Sequence, residues 1–216
     1  MLFRSFAIGV APFSMQIASS VVQVITNNTL KLYGGDLAIG AMAVISSIAM
    51  VFLMPIFGIN QGAQPIIGYN YGAKKYHRMK DAVKISIIAA TIILIIGSIL
   101  IQSFPAAAIK VFNKDDKLLE IGVKGIRTFL MMMPVIGISI IGSNYYQSVG
   151  KAKVAMFLSL LRQVILFIPL MIILPRVGGL GLTGIWLTGA LSDGLSTLIA
   201  GGFLLSEFKS IKENRF

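Results

Sequence analysis

The chain has 216 residues, of which 56% are hydrophobic and 12% are charged, whereas soluble domains carry roughly 25% charged residues. Its mean hydropathy of +0.86 would leave a soluble domain with a large exposed apolar surface, so the composition predicts an all-α, polytopic protein surrounded by a lipid bilayer. The net charge of +11 comes from cations in short loops, not from a basic face that would indicate nucleic-acid binding, and the lack of cysteine excludes disulfides and thiolate metal sites.

Charged residues divide the chain into six apolar segments, each long enough to cross a bilayer core of roughly 30 Å as a helix. The predicted spans are about 6–32, 37–68, 85–109, 125–149, 154–175 and 180–206, and a cytoplasmic tail follows at 207–216. Residues 1–216 are therefore predicted to form a single six-helix transmembrane lobe.

The distribution of cations predicts that both termini face the cytoplasm. An even number of spans puts both ends on one side, and cytoplasmic loops are the ones that carry most lysine and arginine. The chosen orientation places eleven cations inside and seven outside, and the densest cluster, between Lys74 and Lys84, lies inside. The inner set also includes Arg4, Lys212 and Arg215.

Polar side chains recur at helical spacing within several of these spans. The first span carries a row at three- and four-residue steps, namely Gln16, Ser19, Ser20, Gln23 and Asn27. The second span carries a similar row that includes two methionines, namely Ser47, Met50, Met54, Gln61 and Gln64. The fourth span ends in a polar run, Asn144, Tyr145, Tyr146 and Gln147. Such spacing places each row on one helical face, which should meet protein or water because unpaired amides are costly in hydrocarbon. Two interpretations stay open, namely hydrogen bonds between helices and a shared polar cavity.

Two formal charges lie deep in the predicted spans, Arg162 in the fifth and Asp193 in the sixth. At a rise of ~1.5 Å per residue, Arg162 is roughly 12 Å and Asp193 roughly 20 Å from the inner ends of their spans. An arginine side chain can bridge that difference in depth, which favours a structural ion pair. Alternatively, Asp193 is a protonation or cation-coupling site, and both interpretations hold if the pair breaks during a transport cycle.

The segment GINQGAQPIIGYNYGA at residues 58–73, with Arg78 after it, resembles the end of the eighth helix and the adjoining loop of multidrug and toxic compound extrusion (MATE) transporters. The order of spans along the whole chain resembles the C-terminal six-helix lobe of that family. A complete member has two such lobes, so the chain resembles half a transporter.

The resemblance implies the C-terminal half of a secondary active multidrug exporter in the bacterial inner (plasma) membrane, which would exchange amphipathic or cationic drugs for Na⁺ or H⁺. It implies a second six-helix lobe as partner and no cofactor or resident metal beyond the coupling ion. The sequence shows neither a nucleophile–base pair nor a phosphate-binding loop, so it does not indicate an enzyme. The candidate substrate- or cation-binding residues are Gln16, Gln23, Asn27, Gln61, Gln64, Asn144 and Asp193.

The sequence also departs from the resemblance. Family members often carry the coupling acid in the first helix of a lobe, and the first span here has amides but no carboxylate. Two alternatives follow. One is a non-transporting truncated fragment, or a membrane scaffold that needs a partner lobe. The other is a lipid-linked oligosaccharide flippase of the related exporter superfamily, whose cavity should be strongly cationic, and a single buried arginine matches that poorly.

Overall fold

Every regular element in the described part of the chain is helical. The computed structural model describes the backbone of residues 2–213 and the side chains of residues 16–211. The helices are α1 (residues 2–34), α2 (residues 36–72), α3 (Tyr76–Ser103), α4 (Pro105–Lys110), α5 (Asp116–Phe129), α6 (Ile136–Ser148), α7 (Ala152–Ile173) and α8 (Gly181–Glu213). No strand occurs within residues 2–213, so the predicted all-α fold is confirmed.

A single residue, Gly35, separates α1 from α2. Its backbone (φ 65°, ψ −163°) interrupts a helical run that extends from Leu2 to Gly72. This region of conformational space is accessible essentially to glycine alone. Residues 19–27 of α1 and residues 39–46 of α2 line the same cavity, so α2 folds back along α1 and the two helices are separate spans.

The helices provide six membrane crossings. Four stretches are long and apolar enough to span a bilayer, namely residues 16–72, Tyr76–Ser103, Ala152–Ile173 and Gly181–Ile211. The first contains both α1 and α2, because 57 unbroken residues would measure about 86 Å against a core of roughly 30 Å. The pair α5–α6, bent by 42°, supplies the remaining crossing. The structure is therefore a polytopic helical bundle, as the composition predicts.

We expect Gly35→Ala to lower the free energy of unfolding by about 2 kcal/mol, because alanine is strained at this backbone conformation. No atom lies within 4 Å of a Cβ added at Gly35, so the loss would come from the backbone alone. Thermal unfolding in detergent, followed by circular dichroism, measures the effect. Gly58→Ala is the matched control, since Gly58 is helical and its added Cβ also meets no atom within 4 Å. Equal melting temperatures for the two variants would contradict the expectation.

Several helices extend beyond the predicted span limits, because a charge ends a membrane span without ending a helix. The third helix begins at Tyr76 instead of residue 85, since lysine and arginine are good helix formers. It ends at Ser103, just before Pro105, and the predicted remainder of that span forms the separate helix α4. Residues 207–213, predicted as the start of a tail, continue α8.

The fourth crossing is a bent pair of helices. Its first half begins at Asp116, where the Asp115 side chain accepts a hydrogen bond from the Lys117 amide at 2.8 Å. The second half follows a short 3₁₀ turn at Met133–Val135. Pro134 lies in that turn and has no amide hydrogen to continue the helical ladder, which explains the bend.

Glycines allow the helices to approach one another closely, as is typical of membrane bundles. A Cβ added at Gly125 of α5 would lie 2.7 Å from Ile45 of α2 and 3.1 Å from Trp186 of α8. Trp186 is 2% exposed and is among the largest side chains of the core. The close contact of α2, α5 and α8 at Trp186 therefore requires a residue without a side chain at position 125.

The C-terminal part of α8 is held by three polar contacts. Tyr146 donates to the Phe203 carbonyl at 2.8 Å, and Lys80 donates to the Phe208 carbonyl at 2.6 Å. Lys151 pairs with Glu207. These contacts join α3, α6 and the turn before α7 to one end of α8. Of the cations used to predict the topology, Arg4, Lys212 and Arg215 lie outside the described side chains.

Candidate functional site

Three adjoining cavities lie along one side of the bundle and together form what we term the polar cleft. The α1 cavity, of about 510 Å³, lies between α1, α2 and α7. The ion-pair cavity, of about 210 Å³, lies between α7 and α8 and is also bordered by α1 and α5. The α6 cavity, of about 440 Å³, lies between α2, α6 and α7. The two larger ones fall in the range of roughly 300–1,000 Å³ that is usual for small-molecule sites.

One side chain, Gln163, lines all three cavities. Its neighbour Arg162 lines the ion-pair and α6 cavities. Both residues belong to a π-helical turn of α7, Leu161–Leu166. A wide turn reduces the angle between successive side chains, so two consecutive residues can point into the same space. Turns of this kind are frequent at functional sites.

Arg162 and Asp193 form an ion pair at the centre of the polar cleft. Arg162 Nε donates to Asp193 Oδ1 at 2.6 Å, and the two side chains are 31% and 10% exposed. The contact joins α7 to α8. Arg162 and Asp193 are the charged side chains among the residues that line the cleft, so the described lining is neutral as a whole.

The α6 cavity is built from amides and hydroxyls of α2, α6 and α7. Asn144 donates from Nδ2 to the Asn60 carbonyl at 3.2 Å, which joins α6 to α2. Ser143 and Ser159 lie 2.8 Å apart and join α6 to α7. The side-chain oxygen of Asn60 is buried and has no hydrogen-bond partner. Because this oxygen is closed off from solvent, the accessible polar groups of the cavity are other side chains of its lining, such as the exposed Gln61 and Gln64.

The α1 cavity contains the predicted amides of the first span. Gln23 and Asn27 line it together with Thr26, and Ser46 faces them from α2. Gln23 and Asn27 are exposed to the open side of the cavity. Their placement follows directly from the three- and four-residue spacing that put them on one helical face.

The polar cleft brings together six of the seven candidate binding residues. Gln23 and Asn27 line the α1 cavity, Asp193 lines the ion-pair cavity, and Gln61, Gln64 and Asn144 line the α6 cavity. Gln16 does not line any of the three cavities, although its carbonyl accepts a hydrogen bond from Ser20. Gln16 lies on the same helical face as Gln23 and Asn27, but the α1 cavity does not extend as far as the turn of α1 that carries it.

A stripe on α2 joins the two larger cavities. Ile39, Met42 and Ser46 line the α1 cavity, and Phe57, Gln61 and Gln64 line the α6 cavity. At the same helical spacing, Met50 and Met54 lie between these two groups and are 45% and 60% exposed. Ser47, which the sequence placed in the same row, lines neither cavity, and its hydroxyl donates to the Ala43 carbonyl at 2.9 Å.

Sequence reasoning missed Gln163 and Asn60. The position of Gln163 depends on the wide turn of α7, for which the local sequence carries no recognised signal. The one available clue was that this amide follows Arg162 within an apolar run. Asn60 lies within the conspicuous segment at residues 58–73, but only the packing of α6 against α2 determines that its side-chain oxygen is buried.

The described part of the chain holds no cluster of metal-binding side chains. Within residues 16–211, no group of three or more histidine, cysteine, aspartate or glutamate side chains could hold a metal ion. Asp193 is the single carboxylate in the described lining of the cleft.

The model of the MatE family matches residues 13–173 of the chain. This chain belongs to the MATE family. The match covers α1 from residue 13, α2 to α6 and all of α7, and therefore most residues of the polar cleft. Members of this family are multi-pass membrane transporters.

Named relatives are similar over less than half of their own length. The multidrug export protein MepA of Staphylococcus aureus (strain bovine RF122 / ET3-1) is 25% identical over 200 residues, which are 93% of this chain and 43% of MepA. MepA of Staphylococcus haemolyticus is 23% identical over 86% of this chain and 40% of that protein. The chain thus spans under half the length of the curated relatives it matches.

Solved MATE structures share the fold. The outward-facing conformation of a multidrug resistance MATE transporter superposes with a TM-score of 0.88 at 17% identity, over 95% of this chain and 46% of that one. The MATE multidrug transporter DinF-BH, solved in complex with a ligand, superposes with a TM-score of 0.78 at 36% identity, over 92% of this chain and 44% of that one. Six crossings therefore correspond to one lobe of a MATE fold.

Proposed function

We propose that the chain is the C-terminal lobe of a secondary active multidrug exporter, which works with a second six-helix lobe and exchanges amphipathic or cationic drugs for Na⁺ or H⁺. The single observation that carries the proposal is the polar cleft, which extends along one side of a membrane-spanning bundle. The names of its relatives, multidrug export proteins, agree with it.

The exposure of the cleft supports a partner lobe. Gln23, Asn27, Gln61 and Gln64 are all exposed on the open side of the cleft. Amides in contact with acyl chains lack hydrogen-bond partners, so this side should face protein or water in the membrane. A second lobe over the cleft would turn its cavities into an enclosed chamber. The same reasoning supports a pseudo-symmetric pair of lobes with transport between them.

The chemistry of the lining supports drugs as substrates. Met42, Met50 and Met54 lie on the stripe of α2 that borders the cleft, and Phe57 and Phe167 add aromatic surface. Methionine side chains adapt to ligands of different shape. The scattered amides offer hydrogen bonds without imposing one geometry. A lining of this kind favours varied amphipathic molecules over one specific solute.

The flippase alternative receives less support. A lipid-linked oligosaccharide carries phosphate, which favours a cationic cavity. The described lining contains Arg162, and Asp193 neutralises its charge at 2.6 Å.

We place both termini in the cytoplasm on the cation distribution, so that the basic segment at residues 74–84 faces the cell interior.

Ethidium efflux tests the proposal. The chain is expressed alone, as a tandem duplicate, and together with the other half of a full-length relative, and each form is checked for membrane insertion. We expect efflux that depends on a Na⁺ or H⁺ gradient in a two-lobe form and none for the chain alone. Inserted two-lobe forms that all fail to transport would favour a non-transporting fragment. Transport by the monomeric chain would contradict the need for a second lobe.

We expect Gln163→Leu to lower efflux by the two-lobe form roughly tenfold, because it removes the polar group shared by the three cavities. Gln16→Leu is the matched control: the same change on an exposed amide outside the cavities should leave efflux within about twofold, since such surface changes are usually small. Protein levels and melting temperatures of both variants are measured in parallel. A larger effect at Gln16 than at Gln163 would show that the cleft is not the transport route.

A further inference from the structure

A fourth cavity lies on the other side of α2, away from the polar cleft. This lateral groove, of about 410 Å³, is lined by Ile59, Ala63 and Ile66 of α2 and by Ala82, Ile85 and Ser86 of α3, with Arg78 and Asp81 at one end. Ala63 follows Gln61 by roughly 200° of helical rotation. The groove and the cleft are therefore on different faces of α2, and the proposed transport route does not use the groove.

The walls of the lateral groove are apolar and open to the outside of the bundle. Ile66 is 53% and Ile85 is 65% exposed. The one hydroxyl in the walls, that of Ser86, already donates to the Ala82 carbonyl at 2.8 Å. The outer face of α3 continues with exposed Ile88, Ile92 and Ile99. This composition is typical of a surface in contact with acyl chains.

The charged end of the groove has a strong excess of positive charge. Arg78 is exposed, and within residues 16–211 it has no hydrogen-bond or ion-pair partner. Lys74, Lys75 and Lys84 are exposed in the same segment. The one carboxylate at this end, that of Asp81, lies 2.8 Å from His77 Nδ1. An anionic group at Arg78 would thus meet several cations and one acid that already has a partner.

We propose that the lateral groove binds an anionic phospholipid, with its phosphate at Arg78 and an acyl chain along Ile59, Ile66 and Ile85. An arginine fork matches the geometry of phosphate, and a basic pocket between helices at the membrane surface selects anionic head groups. The volume, the apolar walls and the free guanidinium fit the two parts of such a molecule. This inference rests on the membrane-spanning fold and not on transport.

Native mass spectrometry of the purified full chain in a neutral detergent tests the proposal. The probes are dioleoyl phosphatidylglycerol, phosphatidylcholine and phosphatidylethanolamine, together with inorganic phosphate. We expect phosphatidylglycerol to bind roughly tenfold more tightly than phosphatidylcholine. Arg78→Gln should weaken phosphatidylglycerol binding roughly fivefold, whereas Lys84→Gln, a charge of the same segment outside the groove, should change it less than about twofold.

A second pair of variants tests the acyl-chain part of the site. Ile85→Trp fills the groove and should weaken binding of the lipids without changing the melting temperature. Ile99→Trp, at a position of similar exposure on the same helix (61% against 65%), should leave binding unchanged. This pair keeps the proposal testable even if Arg78→Gln fails to fold.

Each of four results would overturn the proposal. Equal losses in Arg78→Gln and Lys84→Gln would indicate diffuse attraction instead of a site. Equal binding of phosphatidylethanolamine would indicate a zwitterionic ligand, and equal binding of inorganic phosphate would indicate a site for free phosphate. A change of oligomeric state in Ile85→Trp, with lipid binding unaffected, would assign the groove to a second copy of the chain.

Discussion

Replacing Arg162 by methionine should lower the free energy of unfolding by about 3 kcal/mol, because the Asp193 carboxylate would remain buried without its partner. The Asp193 side chain is 10% exposed, and its contact with Arg162 Nε at 2.6 Å is the ion pair at the centre of the cleft. Arg162 is 31% exposed and can reach water through the cleft. Asp193→Asn should therefore destabilise the fold less than Arg162→Met does.

The double variant Arg162→Met/Asp193→Leu provides the sharper test. With both charges removed, no charged group is left buried, so the double variant should be more stable than Arg162→Met alone. The measurement is unfolding by sodium dodecyl sulfate in mixed micelles. Lys124→Met is the control, because its pair with Glu120 is exposed at both side chains, and such pairs contribute little. Additive losses in the double variant would contradict a coupled pair.

Efflux by the same variants separates the two roles of Asp193. If the carboxylate couples transport to a cation, Asp193→Asn in the two-lobe form should abolish gradient-driven efflux while the protein stays folded. If the pair is only structural, efflux should follow the amount of folded protein. Unchanged efflux in a folded Asp193→Asn variant would remove this residue from any coupling role.

Gly184→Ala should destabilise the fold by about 3 kcal/mol, the upper part of the range for overpacking a close contact. A Cβ at Gly184 of α8 would lie 2.7 Å from the carbonyl carbon and oxygen of Leu174 and from the Pro175 nitrogen. These are backbone atoms, so α8 would have to move away from the end of α7. The melting temperature of the purified protein in detergent measures the loss.

Two further glycines of α8 turn this prediction into a graded series. Gly189→Ala should be milder, because its Cβ would meet the Phe129 ring at 2.5 Å, and a side chain moves more easily than a backbone. Gly202→Ala meets no atom within 4 Å and should raise stability by up to about 1 kcal/mol through better helix propensity. Any other order of the three melting temperatures would contradict the packing described for α8.

The crossings could be predicted from the sequence because each apolar run is bounded by charges. The ends of the helices could not be predicted in the same way, because lysine and arginine are compatible with a helix that continues past the membrane. Helix α3, which begins at Tyr76, is an example. The separate helix α4 begins at Pro105, which has no amide hydrogen to continue the ladder of α3. The bend between α5 and α6 needs the packing of both halves against their neighbours, which no local pattern encodes.

The lining of the polar cleft could be predicted where one helix presents a regular face. Gln23 and Asn27 line the same cavity because residues four apart share a face. Gln16 satisfies the same spacing and still lies outside, since the extent of a cavity depends on the helices opposite. The contact of Arg162 with Asp193 followed from depth and charge. Gln163 was missed because α-helical geometry would turn it away from its neighbour.

The π-helical turn Leu161–Leu166 has a consequence for how this lobe tolerates insertions and deletions. It accommodates one residue more than a regular turn, so the parts of α7 before and after it are rotated relative to each other about the helix axis. Deleting a single residue there would restore an ordinary ladder of backbone hydrogen bonds and swing one half of the helix around its axis. The backbone hydrogen bonds would become more regular, yet Arg162 and Phe167 could no longer both face the ion-pair cavity.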